Sequence, residues 1–221
     1  MWQNLQTELQ AQNFTVFAVA MDAHLDRARP WIEAAKATYP CVIDRDHHVA
    51  DLYNMVNVPQ AVWIDEQGRI VRPPETAGAY EGFRQMDRAT LKVPETAAEQ
   101  TAQARQTYYA ALRDWVAKGT ASEHVYDPAA ARARVTVPGP ELAQAHAWFR
   151  LGQHLLRRGD EAQAEAAFDK ARALHPDSWN IWRQTAPVDH RGLATGEKFW
   201  ARVDALGDKR YYARVDMKGM P

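Results

Sequence analysis

The sequence predicts an α/β unit followed by an all-α region, on three observations. Between about Asn13 and Val71, short apolar runs alternate with amphipathic helical stretches, as strands and covering helices do in a mostly parallel sheet. From Pro94 onward the chain turns Ala- and Glu-rich with helical spacing of its apolar residues. Pro138-Gly139-Pro140 is the clearest linker in the 221 residues. The predicted organisation is a sheet-bearing domain over 1–93, a long helix and connector over 94–140, and a helical region with an irregular tail over 141–221.

Element by element, Trp2, Leu5 and Leu9 fall at helical spacing, so a short amphipathic helix covers Trp2 to Gln10 and breaks at Asn13. Phe14 to Ala20 (FTVFAVA) is a continuous apolar run, the mark of a strand buried on both faces. A loop follows from Met21 to Asp26. Arg27 to Thr38 reads as a helix with Pro30 in its first turn and Trp31, Ile32 and Ala35 facing inward. Pro40 to Asp44 is a second strand. His47 to Met55 is a short helix presenting Val49, Leu52 and Tyr53 to the core. Gln60 to Asp65, the turn Glu66-Gln67-Gly68 and Arg69 to Arg72 spell a hairpin. Pro73-Pro74 opens a change of character, with a short helix within Tyr80 to Leu91. Ala97 to Lys118 is a long helix with the stripe Tyr108, Leu112, Trp115 and Val116, ended by Gly119. A short helix near Pro128 to Ala133 precedes helices over Glu141 to Arg158, Asp160 to Leu174, Ser178 to Gln184 and Gly196 to Leu206.

Composition narrows the function classes. Hydrophobic residues make up 46% and charged residues 25%, a globular balance. The formal net charge of -1 gives no basis for a nucleic-acid or anionic-membrane partner. The longest apolar run, Val16 to Met21, is too short to span a bilayer, and no signal peptide is visible at the N-terminus. The expectation is a cytoplasmic chain, provided Met1 is the true start. Cys41 is the only cysteine, so one chain can build neither a disulfide nor a CxxC motif. No Gly-rich phosphate loop, nucleophile elbow or HExxH motif is present, and no cofactor is expected.

Within the helical region, Trp148, Leu151, Gly152, Leu155, Gly159, Ala164, Phe168, Ala171 and Pro176 fall in the register of a 34-residue helix-turn-helix unit. Gly152 and Ala164 let two helices approach, Trp148 and Phe168 fill the space around that contact, and Pro176 ends the second helix. The stretch resembles one tetratricopeptide repeat, with Ser178 to Gln184 as the first helix of a partial second one. Such a pair either offers a peptide-binding groove or only caps or dimerises the molecule.

FTVFAVAMD and YPCVIDRDHHVADLYNMVNVPQAVWIDEQGRIV resemble the redoxin branch of the thioredoxin superfamily, which includes TlpA/ResA-type reductases and AhpC/TSA peroxiredoxin-like proteins. Asp44, Val49, Ala50, Tyr53, Val58, Pro59, Ile64, Asp65, Gly68 and Ile70 carry the likeness, over about a third of the chain. The resemblance implies that Pro59 is cis, beside the active cysteine, and that the backbone of Val58 faces a thiol, disulfide or peroxide substrate. A plain trans proline opening a strand is the alternative. It also implies that the central strand and the CxxC helix come just before the helix at Trp2 to Gln10, where this chain begins. The fold is therefore an incomplete thioredoxin-like sheet, with no catalytic residue in place. Three explanations offer themselves: a start placed inside a longer reading frame with an upstream Cys or selenocysteine motif, a strand donated by another chain, or a rearranged non-catalytic remnant. The first is preferred.

The remaining candidates have simpler readings. Cys41 opens a strand after Pro40 and reads as core packing rather than a reactive thiol. His47 and His48 beside Asp44 and Asp46 invite a metal, but neighbouring helical residues point apart, and capping by Asp46 is the plainer account. Asp22 and His24 lie in a loop where α/β folds place ligands. The function implied by resemblance is a thiol or selenol disulfide oxidoreductase or peroxiredoxin-like antioxidant whose catalytic motif is absent from this chain. The alternative is a non-catalytic peptide- or protein-interaction module using the Pro59 face and the helical repeat, with a homodimer as a further option.

Overall fold

The computed structural model describes residues 2–190 and 192–221. Met1, on which the reading of the chain's start turns, lies outside them. In chain order the elements are α1 (Trp2–Leu9), β1 (Ala18–Ala20), α2 (Leu25–Ala35), β2 (Cys41–Ile43), α3 (His48–Leu52), β3 (Gln60–Ile64) and β4 (Ile70–Thr76). The long α4 (Glu95–Lys118) follows, then α5 (Pro128–Ala133), α6 (Pro140–Arg157), α7 (Glu161–Leu174), α8 (Trp179–Thr185) and α9 (Glu197–Asp204). The described residues fall into two compact units, each assembled from separated stretches of chain. The first takes Met1–Thr7, Thr15–Val58 and Thr136–Gly196; the second takes Glu8–Phe14, Pro59–Val135 and Glu197–Pro221. Both the sheet-bearing stretch 1–93 and the helical stretch 141–221 are thus shared between units.

In the first unit, β1 pairs with β2 in parallel, Ala18 opposite Cys41 and Ala20 opposite Ile43. The run Phe14 to Ala20 is predicted as one strand buried on both faces; only its last residues are strand, and they are half-buried. Phe17 is 61% exposed. The physical reason is that β1 has one strand neighbour, and that neighbour is three residues long. A strand extends only as far as its ladder is matched.

The helix after β1 starts earlier than its pattern suggests, at Leu25, which puts Pro30 inside it rather than in its first turn. It stops at Ala35, where Lys36 turns left-handed and its N–H reaches the Glu33 carbonyl. Trp31, predicted inward, is 58% exposed. In α3 the buried residue is Ala50, and Leu52 faces out. The cap also differs from expectation. Asp44, not Asp46, accepts the N–H groups of His48 (2.8 Å) and Val49 (2.7 Å). His47 precedes them at φ 54, and this left-handed step lets a carboxylate four residues back reach the helix start. Asp46 instead pairs with Arg157 at 2.9 Å.

The helix pair α6–α7 follows its spacing closely. Ala145, Phe149, Ala164, Phe168, Ala171 and Ile181 form its core, with Trp148, Leu155 and Leu174 against it. A Cβ placed on Gly152 would overlap the Phe168 ring, so glycine there is a packing requirement. Gly159 turns the chain at φ 81, and Asp160 caps α7 through the Gln163 N–H. Leu151, part of the repeat pattern, is exposed.

In the second unit, β3 and β4 form an antiparallel hairpin. Its turn is held by Asp65, whose carboxylate accepts the N–H groups of Gln67 (3.0 Å) and Arg69 (2.8 Å). Gly68 takes φ 76 there. Pro73-Pro74 does not end the strand, which runs on to Thr76. Pairing passes from Ala61–Glu75 to Trp63–Arg72, two residues on one strand against three on the other. The bulge accommodates prolines that have no N–H for the ladder. Helix α4 is anchored on this hairpin by Tyr108, whose hydroxyl accepts from Trp63 Nε1 at 2.8 Å, and by Trp115 stacked on Trp63. The 3₁₀ turn Glu81–Gln85 places Phe83 against Phe199 and Tyr211.

The strands thus lie in two separate two-stranded sheets, one parallel and one antiparallel. This is an incomplete thioredoxin-like sheet followed by a helical region. No helix among the described residues is long and apolar enough to cross a membrane.

Candidate functional site

Ligands of parallel sheets bind beyond the carboxyl ends of the strands. Here that edge carries Met21 and Asp22 after β1 and Asp44 after β2. Asp22 accepts the His24 N–H at 2.8 Å, which folds the loop back on itself. Both oxygens of Asp44 are taken by the start of α3. Beside the end of β1 lies a cleft of about 280 Å³, lined by Ala20, Met21, Trp31, Ile32 and Leu193, with Asp22 and Arg27 at its polar margin. His24 caps nothing with its side chain. Among the described residues no three His, Cys, Asp or Glu side chains converge as a metal site.

Cys41 sits at the start of β2, half-buried, with its Sγ donating to the Tyr39 carbonyl at 3.5 Å. His47 and His48 separate as helical geometry requires: His48 is exposed, while His47 is buried edge-on to Phe149, ring centroids 5.1 Å apart.

The Val58-Pro59 segment is approached through backbone that the helical region holds. Two N–H groups at the start of α8, from Trp179 (2.7 Å) and Asn180 (3.1 Å), donate to the Val56 carbonyl. The Asn180 side chain donates to the Met55 carbonyl at 2.6 Å. Ser178 caps the same helix start through the Ile181 N–H. The helix that sequence spacing offers as the opening of a second repeat is thus spent on residues 55–56. Val58 itself is exposed, its N–H donating to Asn57 Oδ1 at 2.9 Å. The Pro59 carbonyl accepts from the Ala77 N–H at the far end of the hairpin.

Two buried polar clusters escape sequence reasoning. In the second unit, Arg72 is 1% exposed, paired with Glu75 at 2.6 and 2.9 Å and donating to the carbonyls of His124 and Asp216. Its guanidinium also lies over the Trp63 and Tyr126 rings. Burial pushes the Glu75 carboxyl up against the pull of Arg72, and burial pushes the Tyr108 phenol up as well. With its polar atoms engaged inside the unit, the cluster is a structural tie. In the first unit, His47, His146 and His175 are all buried, and burial holds each imidazole below its ordinary value. Nothing in a lone His on a helix announces this. The nearest signal is that His146 falls three positions before Phe149, on the stripe that faces the partner helix.

Residues 2–72 match the AhpC/TSA family, and residues 145–186 match a tetratricopeptide repeat. The two matches fall on the stretches whose motifs carry the sequence resemblances. No curated protein matches the chain, and no solved structure matches it.

Proposed function

We propose that this chain is the substrate-facing and helical part of a thiol or selenol disulfide oxidoreductase of redoxin type, or of a peroxiredoxin-like antioxidant, with the nucleophile outside these residues. The observation that carries this reading is the AhpC/TSA match over 2–72, which includes an exposed Val58 beside Pro59. In such chemistry a thiolate or selenolate attacks one sulfur of the substrate disulfide and the S–S electron pair leaves on the other sulfur. A second thiol then attacks the nucleophile's own sulfur or selenium in the mixed species, the substrate's remaining sulfur leaves as a thiolate, and nucleophile and second thiol end joined and oxidised while the substrate ends as two thiols. The Val58-Pro59 backbone, with the cis bond the resemblance implies, is the proposed substrate edge. The tetratricopeptide-like region serves as a brace, because α8 spends its first N–H groups on the strand of chain leading to that edge.

Reductase and peroxidase assays on this chain, and on the chain extended by the codons upstream of Met1, test the reading. The expected result is an inert chain and an active extension. A C41S variant of the extension is expected to keep its rate, since Cys41 is half-buried at the start of β2 with its Sγ donating to the Tyr39 carbonyl. Activity in the 221-residue chain that C41S abolishes overturns the reading.

A second reading is favoured by the absence of a second sulfur partner for Cys41 in the sequence: a non-catalytic module that binds peptides at the Val58-Pro59 edge. It predicts that both chains are inert and that peptide binding is lost on V58D.

A further inference from the structure

The three buried histidines of the first unit come from three different places in the chain. His47 precedes α3, His146 lies in α6, and His175 caps the end of α7. Each is buried, and each has an Nε2 out of contact with water and with no protein hydrogen-bond partner. His47 packs edge-on to Phe149, a member of the core of the helix pair. His146 and His175 meet edge to face, ring centroids 5.9 Å apart. These rings therefore sit where the α/β stretch 15–58 and the helical stretch 136–196 pack together.

The groups around them do not await a second proton. His146 Nδ1 is 3.9 Å from Asp51 Oδ1, beyond hydrogen-bond reach, and Asp51 is already paired with Arg150 of α6. Asp44, facing His47, has both oxygens on backbone N–H groups, and Asp22, which also acts on His47, accepts the His24 N–H on Oδ1. Gln184 of α8 bonds His47, but its amide also serves Ala23 and Met21. His175 faces His146 and Asp177. A charge on His146 opposes a charge on either His47 or His175.

We propose that this histidine cluster is a pH-sensitive clasp: with neutral imidazoles the helical region, through the start of α8, grips the segment ahead of Val58-Pro59, and protonation loosens that grip. The sign follows from burial. All three groups are held below the ordinary imidazole value, so the unfolded or undocked chain binds more protons as pH falls. The grip is complete above about pH 6.5 and weakens below it, about tenfold for each unit by which a pKa is depressed. The undocked state frees the Val56 carbonyl from Trp179 and Asn180, which lie at the next contact along.

Hydrogen exchange on the whole chain, at pH 7.5 and 5.5 and corrected for the intrinsic pH effect, reads this directly. The amides of Trp179 and Asn180 are expected to lose at least tenfold in protection at pH 5.5, while those of α4 in the second unit keep theirs. H146F and H175F keep ring volume without a titratable group and are expected to flatten that pH dependence, whereas the exposed control H154Q leaves it as in the parent chain. Because a cluster variant can fail to fold, the imidazole titration of the unmodified chain by NMR stands beside it. Three ring titrations at or above the ordinary value, or equal protection at both pH values, overturns the clasp. Neither result depends on redox activity, so it stands or falls apart from the function proposed above.

Discussion

The helix pair α6–α7 and the strand pair β1–β2 belong to the same unit and behave as opposites. The pair of helices buries most of the apolar positions its spacing assigns, down to a glycine whose replacement would press on the Phe168 ring. The pair of strands forms only three residues deep and leaves Phe17, the most apolar part of its run, largely exposed. A helix satisfies its own backbone within each turn and needs one neighbour to cover its stripe. A strand satisfies nothing alone, so its length and burial belong to whichever strands lie beside it. Packing in the first unit should therefore be concentrated in the helices and thin at the sheet.

Substitutions rank that contrast. The largest effect is expected at Phe149, which is 1% exposed: F149A should cost about 3–5 kcal/mol, read as a drop in urea midpoint. G152A comes next at about 1–3 kcal/mol, because the new methyl meets the Phe168 ring rather than a mobile side chain. D44A should cost about 1 kcal/mol by removing the cap of α3, while D46A should leave the midpoint near that of the parent, since its partner Arg157 is exposed. A reversal of those two variants would return the cap to Asp46. F17S sits at the bottom, within about 0.5 kcal/mol. A large loss there would mean that the open side of β1 is covered in solution.

The proposed site was named from sequence alone. Val58 and Pro59 stand in a motif that sequence alone picks out, and the turn Asp65 to Gly68 forms as its residues dictate. The hold that α8 takes on residues 55–56 was not legible, because Ser178 and Asn180 look like ordinary capping residues until a carbonyl from a distant stretch arrives. Leu52 and Trp31 face solvent for a related reason: a helical stripe states which residues can share a face, and the neighbours that cover that face come from elsewhere in the chain. At Pro73-Pro74 the opposite error arose. Prolines usually close a strand, but a bulge and an edge let this one continue.

What the sequence determined by itself is therefore local: which stretches form helices, the turn of the hairpin, and the interlock of Gly152 with Phe168. It also determined the likeness to redoxins over the first third of the chain and to a tetratricopeptide repeat near its end, since both rest on residue spacing. Only the tertiary structure decided that Arg72 is buried against Glu75 and that His47, His146 and His175 are enclosed together. Burial of a charged or titratable group is set by partners that bring their own desolvation and their own hydrogen bonds, and those partners come from far along the chain. The same holds for the length of β1, because a strand ends where its neighbour does.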